Sequence, residues 1–170
     1  GRHVGFGDGV YRSRDGGASW RNLGLKDSQH ISKILVHPKN PDVVYVAAQG
    51  PLWSKGGDRG LFKTADGGKT WTKSLGAGEW TGVTDVAMDP RNPDVLYAVT
   101  WQHHRTVAAY MGGGPESGIH RSTDSGATWE KLKKGLSEGP HGKIGLALSP
   151  QDPDVAYAAR SRQVRAERIP

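Results

Sequence analysis

Ser13-Arg-Asp15-Gly-Gly17-Ala-Ser-Trp20 is the first of three copies of the motif that decides the fold of this sequence. The other copies span 64–71 and 122–129, so a hydroxyl residue, an aspartate, a glycine and a tryptophan recur at fixed offsets. We predict a rigid hairpin turn in each copy, because the carboxylate can accept hydrogen bonds from the turn's own amides and the glycine permits a positive φ. The residues predicted to have this structural role are Ser13, Asp15, Gly17, Trp20, Thr64, Asp66, Gly68, Trp71, Ser122, Asp124, Gly126 and Trp129.

A second motif repeats in step with the first. Each copy reads Pro-x-Asn/Asp-Pro-Asp-Val, and the three copies begin at Pro38, Pro90 and Pro150. Proline fixes φ, and Asn and Asp tolerate turn geometry, so the motif predicts one turn used three times. The repeat length of about 50 to 60 residues is typical of β-propeller blades.

Short runs of alternating apolar and polar residues separate these motifs, as expected for β-strands bounded by turns. We predict an all-β protein made of propeller blades, each a four-stranded antiparallel meander. The predicted units are complete blades at 31–75 and 82–132 and two complementary half-blades at 9–23 and 143–159. The propeller segment therefore occupies 1–159, and 160–170 forms a basic tail that is either disordered or involved in contacts.

The first motif resembles the Asp-box, or bacterial neuraminidase repeat, of sialidases, sortilin-type propellers and two-domain xyloglucan hydrolases. The longer phrases at 24–31, 40–48, 101–105 and 112–118 are most similar to large bacterial sortilin-like repeat proteins. The resemblance runs from about Gly9 to Ala159 and implies a β-propeller. Members are usually longer and exported, so the resemblance also implies a slice of a periplasmic or extracellular protein.

Composition argues against several classes of function. The chain has no cysteine, which excludes disulfides and thiolate metal sites. No apolar run approaches the ~20 residues of a membrane span, so we predict no membrane partner. The formal net charge is +6, but much of it lies in 160–168 and the rest is spread thinly. Without a basic face carrying interleaved aromatic residues, we predict no nucleic-acid partner.

The order of the strands places the two repeated turns at one end of the blades, the bottom, and the longer variable loops at the other end, the top. Binding residues concentrate in such loops. The candidate ligand-binding residues on or near the top are His30, Trp53, Glu79, Trp80, Asp85, Trp101, His103, His104, Arg105, Tyr110, Glu116 and His141. The aromatic members either stack on a sugar or anchor a peptide, or they merely cover the blades. Asp85, on an inner strand, could instead hydrogen-bond across the central channel.

No catalytic constellation is recognisable. Four acids, Glu79, Asp85, Glu116 and Glu138, lie on or near the top loops, but none stands in a motif that matches a known pair. Glycoside hydrolysis needs two carboxylates about 5–9.5 Å apart across a cleft. The stretch 168–170 resembles the arginine motif of sialidases, yet it follows the third Asp-box instead of preceding the first.

A metal or cofactor site is not expected either. His103 and His104 are adjacent, so in an extended loop their side chains point apart, and no third ligand follows at a diagnostic spacing. The glycines at 112–114 precede a proline and a strand, whereas a dinucleotide fingerprint opens a helix. We predict no metal and no cofactor.

Assembly and function follow from the blade count. Three blade equivalents cannot close a ring, since propellers use about four to eight blades. We predict that two chains join their half-blades into a six-bladed homodimer of C2 symmetry, unless a longer parent supplies the remaining blades. The expected function is a non-catalytic scaffold that binds a glycan or a peptide. Two alternatives stay open: a glycan-processing module, either glycoside hydrolase or sialidase-like, and a propeller fragment with no evolved activity.

Overall fold

The structure, a computed structural model, describes residues 5–162, and apart from one 3-10 turn at Lys26–Ser28 its regular structure is β-strand. In chain order the strands are β1 (Tyr11–Arg12), β2 (Arg21–Asn22), β3 (Ile31–Val36), β4 (Val44–Ala48), β5 (Gly60–Thr64), β6 (Thr72–Leu75), β7 (Thr81–Met88), β8 (Leu96–Gln102), β9 (His104–Arg105), β10 (Tyr110–Met111), β11 (Gly118–Ser122), β12 (Glu130–Lys131), β13 (His141–Leu148) and β14 (Ala156–Arg162). Among these described residues, no helix is long and apolar enough to cross a membrane.

The strands form two four-stranded antiparallel meanders and two flanking pairs. The meanders are β3-β4-β5-β6 and β7-β8-β11-β12, and the pairs are β1-β2 and β13-β14. A small hairpin, β9-β10, is inserted between β8 and β11. The predicted all-β architecture of two complete blades and two half-blades is therefore confirmed. Strand β14 continues to Arg162, so the first three residues of the predicted tail belong to a sheet, and 163–170 lie outside the described residues.

Each Asp-box is a turn closed around its carboxylate. In the second box the Thr70 hydroxyl donates to Oδ2 of Asp66 at 2.6 Å, and the Thr70 amide donates to Oδ1 at 3.0 Å. The Thr64 hydroxyl also donates to Oδ1, at 2.8 Å. These donors stabilise the charged form, so they hold the pKa of Asp66 well below its usual range. The same bonds lower the pKa of Asp15 and of Asp124 to about 2.

The tryptophan of the box joins neighbouring blades. Trp71 donates its indole N–H to the carbonyl of Leu23 in the preceding half-blade at 2.7 Å, and Trp129 donates to Oγ of Ser74 in the preceding blade at 3.1 Å. The side chain of Trp20 is 63% exposed and bonds only within its own turn, to the carbonyl of Gly17 at 3.1 Å. In the second and third copies the box therefore fixes a hairpin and holds an indole against the preceding sheet.

Apolar side chains fill the space between successive sheets. The core between the two complete blades contains Tyr45 and Leu61 from one sheet and Val83, Val86 and Leu96 from the other, all fully buried. Burying each such side chain contributes about 1.5–3 kcal/mol. The Tyr45 hydroxyl also donates to the carbonyl of Ser125 at 2.8 Å, so the polar atom of this buried tyrosine has a hydrogen-bond partner in the neighbouring blade.

We expect Asp66→Ala to lower the melting temperature by several degrees, and Asp15→Ala to lower it less. Both carboxylates close the same kind of turn, but of these two boxes the second holds its indole, that of Trp71, against a neighbouring sheet, whereas Trp20 of the first does not. Thermal unfolding at pH 7 followed by circular dichroism compares the two variants. An unchanged melting temperature for Asp66→Ala would contradict the structural role of the box.

Candidate functional site

The top face exposes several aromatic side chains on separate loops. Trp53, in the loop between β4 and β5, is 44% exposed, and the guanidinium carbon of Arg105 lies 5.1 Å from its ring centre. The rings of Trp80 and His104 lie 4.0 Å apart and are tilted by 45°. Tyr110, on the β9-β10 hairpin, is 63% exposed. Sequence position alone had grouped these residues, and the structure places them on the same end of neighbouring blades.

A buried arginine that the sequence analysis missed holds the loop between β4 and β5. Arg59 is only 2% exposed, and its guanidinium donates to the carbonyl of Gln49 at 2.8 Å and to that of Ser54 at 2.7 Å. It also donates to the carbonyls of Gly56, at 3.0 Å, and Pro51. Burial lowers the pKa of Arg59 to about 10, so the group stays charged at neutral pH.

Two of the predicted binding residues lie inside the top layer instead of on it. Trp101 is 8% exposed and donates its indole N–H to the carbonyl of Gly112 at 2.8 Å. His103 is 1% exposed, and its ring stacks on Trp101 with centres 4.1 Å apart. Burial, with a smaller effect from the charge of Arg59, lowers the pKa of His103 to about 4, so the ring is neutral at pH 7. These side chains cover the blade.

Asp85 forms hydrogen bonds with the first strand of each of the two neighbouring sheets. Its Oδ1 accepts from Nζ of Lys33 on β3 at 2.9 Å, and its Oδ2 accepts from the backbone amide of Leu146 on β13 at 2.9 Å. The Asp85 side chain is 15% exposed. This carboxylate therefore ties three successive sheets together through their first strands.

Two other acids of the top face, Glu79 and Glu116, lie at the crossing between the two complete blades. Glu79 forms an exposed ion pair with Lys55 at 3.1 Å. The Thr81 hydroxyl donates to Oε2 of Glu116, and the carboxylate lies against Gly78, because a Cβ built on that glycine would fall 2.8 Å from Oε1. The structure thus brings Glu116 beside the residue that precedes Glu79, although the two are distant in sequence.

Two of the histidines predicted to bind a ligand, His30 and His141, have hydrogen-bond partners that show whether Nδ1 of the ring carries a proton. Nδ1 of His30 lies 3.1 Å from the carbonyl of Gly50, and since a carbonyl can only accept, that nitrogen carries the proton. Nδ1 of His141 lies 2.7 Å from Nη1 of Arg160, which can only donate, so that nitrogen is the acceptor. Burial lowers the pKa of His141, with a further contribution from the charge of Arg160.

Comparison with known proteins assigns the repeats to a family and gives the relatives of the chain. The model of the family described as "Sortilin, neurotensin receptor 3" (Sortilin-Vps10) matches residues 8–163. An oligoxyloglucan-reducing end-specific xyloglucanase of Emericella nidulans is 29% identical over 153 residues, covering 88% of this chain and 17% of the relative. The xyloglucanase Xgh74A of Acetivibrio thermocellus is 27% identical over 150 residues, covering 76% of this chain and 15% of the relative.

Solved structures confirm the fold. The GH74 xyloglucanase of Xanthomonas campestris superposes with a TM-score of 0.64 at 16% identity, covering 92% of this chain and 24% of that one. An ancestral GH74 enzyme also gives a TM-score of 0.64, at 17% identity, covering 89% of this chain and 19% of that one. This chain therefore spans only a small part of the length of the proteins it resembles.

The relatives also correct the predicted function. The expectation of a non-catalytic scaffold is wrong, because the curated relatives that match the chain are xyloglucanases. They support instead the glycan-processing alternative and, within it, a glycoside hydrolase. The homodimer and the export of the protein stay predictions.

Proposed function

This chain belongs to the Sortilin-Vps10 family of Asp-box propellers, whose model matches residues 8–163, and we propose that it forms part of a glycoside hydrolase acting on xyloglucan. The observation that carries the proposal is the similarity to xyloglucanases across 76–88% of the chain. The top face supplies the substrate-contacting surface, since the bottom is occupied by the turns that hold the blades together.

The exposed aromatic residues suit a neutral polysaccharide. A pyranose ring has an apolar face of C–H groups, and an exposed indole or phenol ring can pack against it while the sugar hydroxyls stay in water. Trp53 and Tyr110 offer such faces, with 44% and 63% of their surfaces exposed. The cation of Arg105 beside the Trp53 ring limits the orientations of that indole.

Glu116 and Glu79 are the acids that we assign to the reaction. Asp85 is committed to Lys33 and to the amide of Leu146, so it holds the sheets. Glu116 receives a hydrogen bond from the Thr81 hydroxyl, and Glu79 lies one residue beyond the glycine that the Glu116 carboxylate touches. Hydrolysis of a glycoside requires one carboxyl group as acid and a second as base or nucleophile.

We expect Glu116→Gln to lower the rate of release of new reducing ends from a xyloglucan oligosaccharide by about 10²-fold or more, the usual contribution of a general acid or base. The matched control is Glu138→Gln, an exposed acid on another top loop, which should stay within about twofold of the unchanged chain. Equal rates for both variants would remove Glu116 from the reaction. If the unchanged chain released no reducing ends and bound no oligosaccharide, the proposed function itself would be wrong.

A further inference from the structure

A second feature of the top face lies apart from the exposed aromatic residues, where the chain enters β3. A cavity of about 420 Å³ opens there, a size typical of small-ligand sites. Its walls include Ser28, His30 and Gln49, together with three glycines of the segment 5–9, which we call the glycine segment.

The backbone at the cavity is strained. Gln29 has φ of 52° and ψ of −45°, and the amide of His30 donates to the carbonyl of Ser28 at 2.5 Å. This is a γ-turn of the rare positive-φ type, which a residue with a side chain seldom adopts. Strained residues of this kind concentrate at ligand sites, where the surrounding structure holds them in place.

Two buried polar atoms at this turn have no hydrogen-bond partner within the described part of the chain. One is Oγ of Ser28, a residue that is 1% exposed, and the other is Nε2 of His30. Because Nδ1 of His30 donates to the carbonyl of Gly50, the tautomer with that bond presents a lone pair at Nε2. Buried polar groups are nearly always paired, so these two atoms of one turn are available to hydrogen-bond a ligand.

The glycine segment contacts the turn through one hydrogen bond and one aromatic contact. The amide of Gly7 donates to the carbonyl of Gln29 at 2.7 Å, and the ring of Phe6 meets the edge of His30 at 5.7 Å. A Cβ built on Gly5 would meet no described atom within 4 Å.

We propose that this cavity binds one pyranose ring of the glycan, with a sugar hydroxyl donating to Nε2 of His30 and bonding to Oγ of Ser28. A sugar hydroxyl can donate to the Nε2 lone pair of this tautomer, whereas an ionised carboxylate or phosphate has no proton to donate. Phe6, which is 63% exposed, packs against the apolar face of the sugar. This inference rests on the proposed function, because it names a sugar subsite of the same top face.

The test is a titration of the ¹⁵N-labelled full chain with a xyloglucan heptasaccharide, followed by amide chemical shifts. We expect saturable shifts at residues 28–30 and at Gly7. Ser28→Ala should weaken binding about three- to tenfold while leaving the melting temperature equal or higher, because it removes a buried hydroxyl that has no partner. The control, Ser149→Ala at the bottom of β13, should bind like the unchanged chain.

The outcomes separate this inference from the proposed function. Shifts confined to Trp53, Trp80 and Tyr110, with Ser28→Ala binding normally, would overturn the sugar subsite and leave the hydrolase proposal in place. A lower melting temperature of Ser28→Ala with unchanged affinity would also overturn it, since the hydroxyl would then have an internal structural partner. The absence of any saturable shift, together with no release of reducing ends, would overturn both.

Discussion

Replacing Arg59 with methionine is expected to lower the free energy of unfolding by about 2–4 kcal/mol, because buried carbonyls that lose their donor cost about 1–3 kcal/mol each unless they regain water. The guanidinium is 2% exposed and donates to four carbonyls of the loop between β4 and β5. Methionine preserves much of the side-chain length but supplies no donor. The corresponding fall in melting temperature is about 4–16 °C for a chain of this size.

Hydrogen exchange distinguishes this effect from general destabilisation. The amides of residues 50–58 should exchange faster in Arg59→Met than those of β7, because the loop loses its central donor first. Arg59→Lys should give an intermediate result, since a lysine ammonium has three donors where a guanidinium has five. Arg14→Met, an exposed arginine of the first Asp-box, is the matched control and should change stability by less than about 0.5 kcal/mol. Arg59→Met with unchanged stability and unchanged loop exchange would contradict this role.

The second large effect is expected from Asp85→Ala, which should lower the free energy of unfolding by about 2–4 kcal/mol, since hydrogen bonds to a charged group contribute about 1.5–3 kcal/mol. The substitution leaves the Lys33 ammonium and the Leu146 amide without their shared acceptor. Because these groups lie on β3 and β13, the contacts of β7 with both neighbouring sheets are weakened together.

Denaturant unfolding monitored by circular dichroism measures this effect. Asp85→Asn keeps one oxygen acceptor and should lose less than Asp85→Ala. Glu130→Ala, an exposed acid on β12, is the control for loss of a negative charge. If Asp85→Ala unfolded at the same denaturant concentration as Glu130→Ala, the hydrogen bonds from Lys33 and Leu146 to Asp85 would contribute nothing to the stability of the fold.

The repeated motifs made the fold predictable. An Asp-box acts within a few residues of chain, so its turn can be read from the spacing of Asp66 and Trp71 alone. Three copies in step with a second turn then defined the blade. The contacts between blades were not predictable, because the partners of Asp85 come from strands more than 50 residues away on each side.

The candidate site was predictable only as a region. Trp53 and Trp101 both looked like loop aromatics, yet the first is 44% exposed and the second 8%, because Trp101 belongs to the end of β8 and bonds to Gly112. Arg59 carried no sequence signal, since one arginine in a glycine-rich loop resembles any solvated charge. Its role depends on four carbonyls that converge only in the folded loop.

The functional prediction failed for a related reason. A pair of catalytic carboxylates is defined by distance across a cleft, and the two acids can come from any two loops. The lack of a local motif around Glu79 or Glu116 therefore held no information about hydrolysis. The similarity to xyloglucanases, and not the spacing of residues within the chain, is what led to the proposal of a hydrolase.

The central claim is that this chain belongs to an enzyme that hydrolyses xyloglucan. Mass spectrometry of a xyloglucan oligosaccharide incubated with the unchanged chain tests it most directly. The account predicts shorter oligosaccharides that accumulate with time and are nearly absent with Glu116→Gln. An oligosaccharide that keeps its full mass with the folded, unchanged chain, and that does not bind to it, would contradict the account.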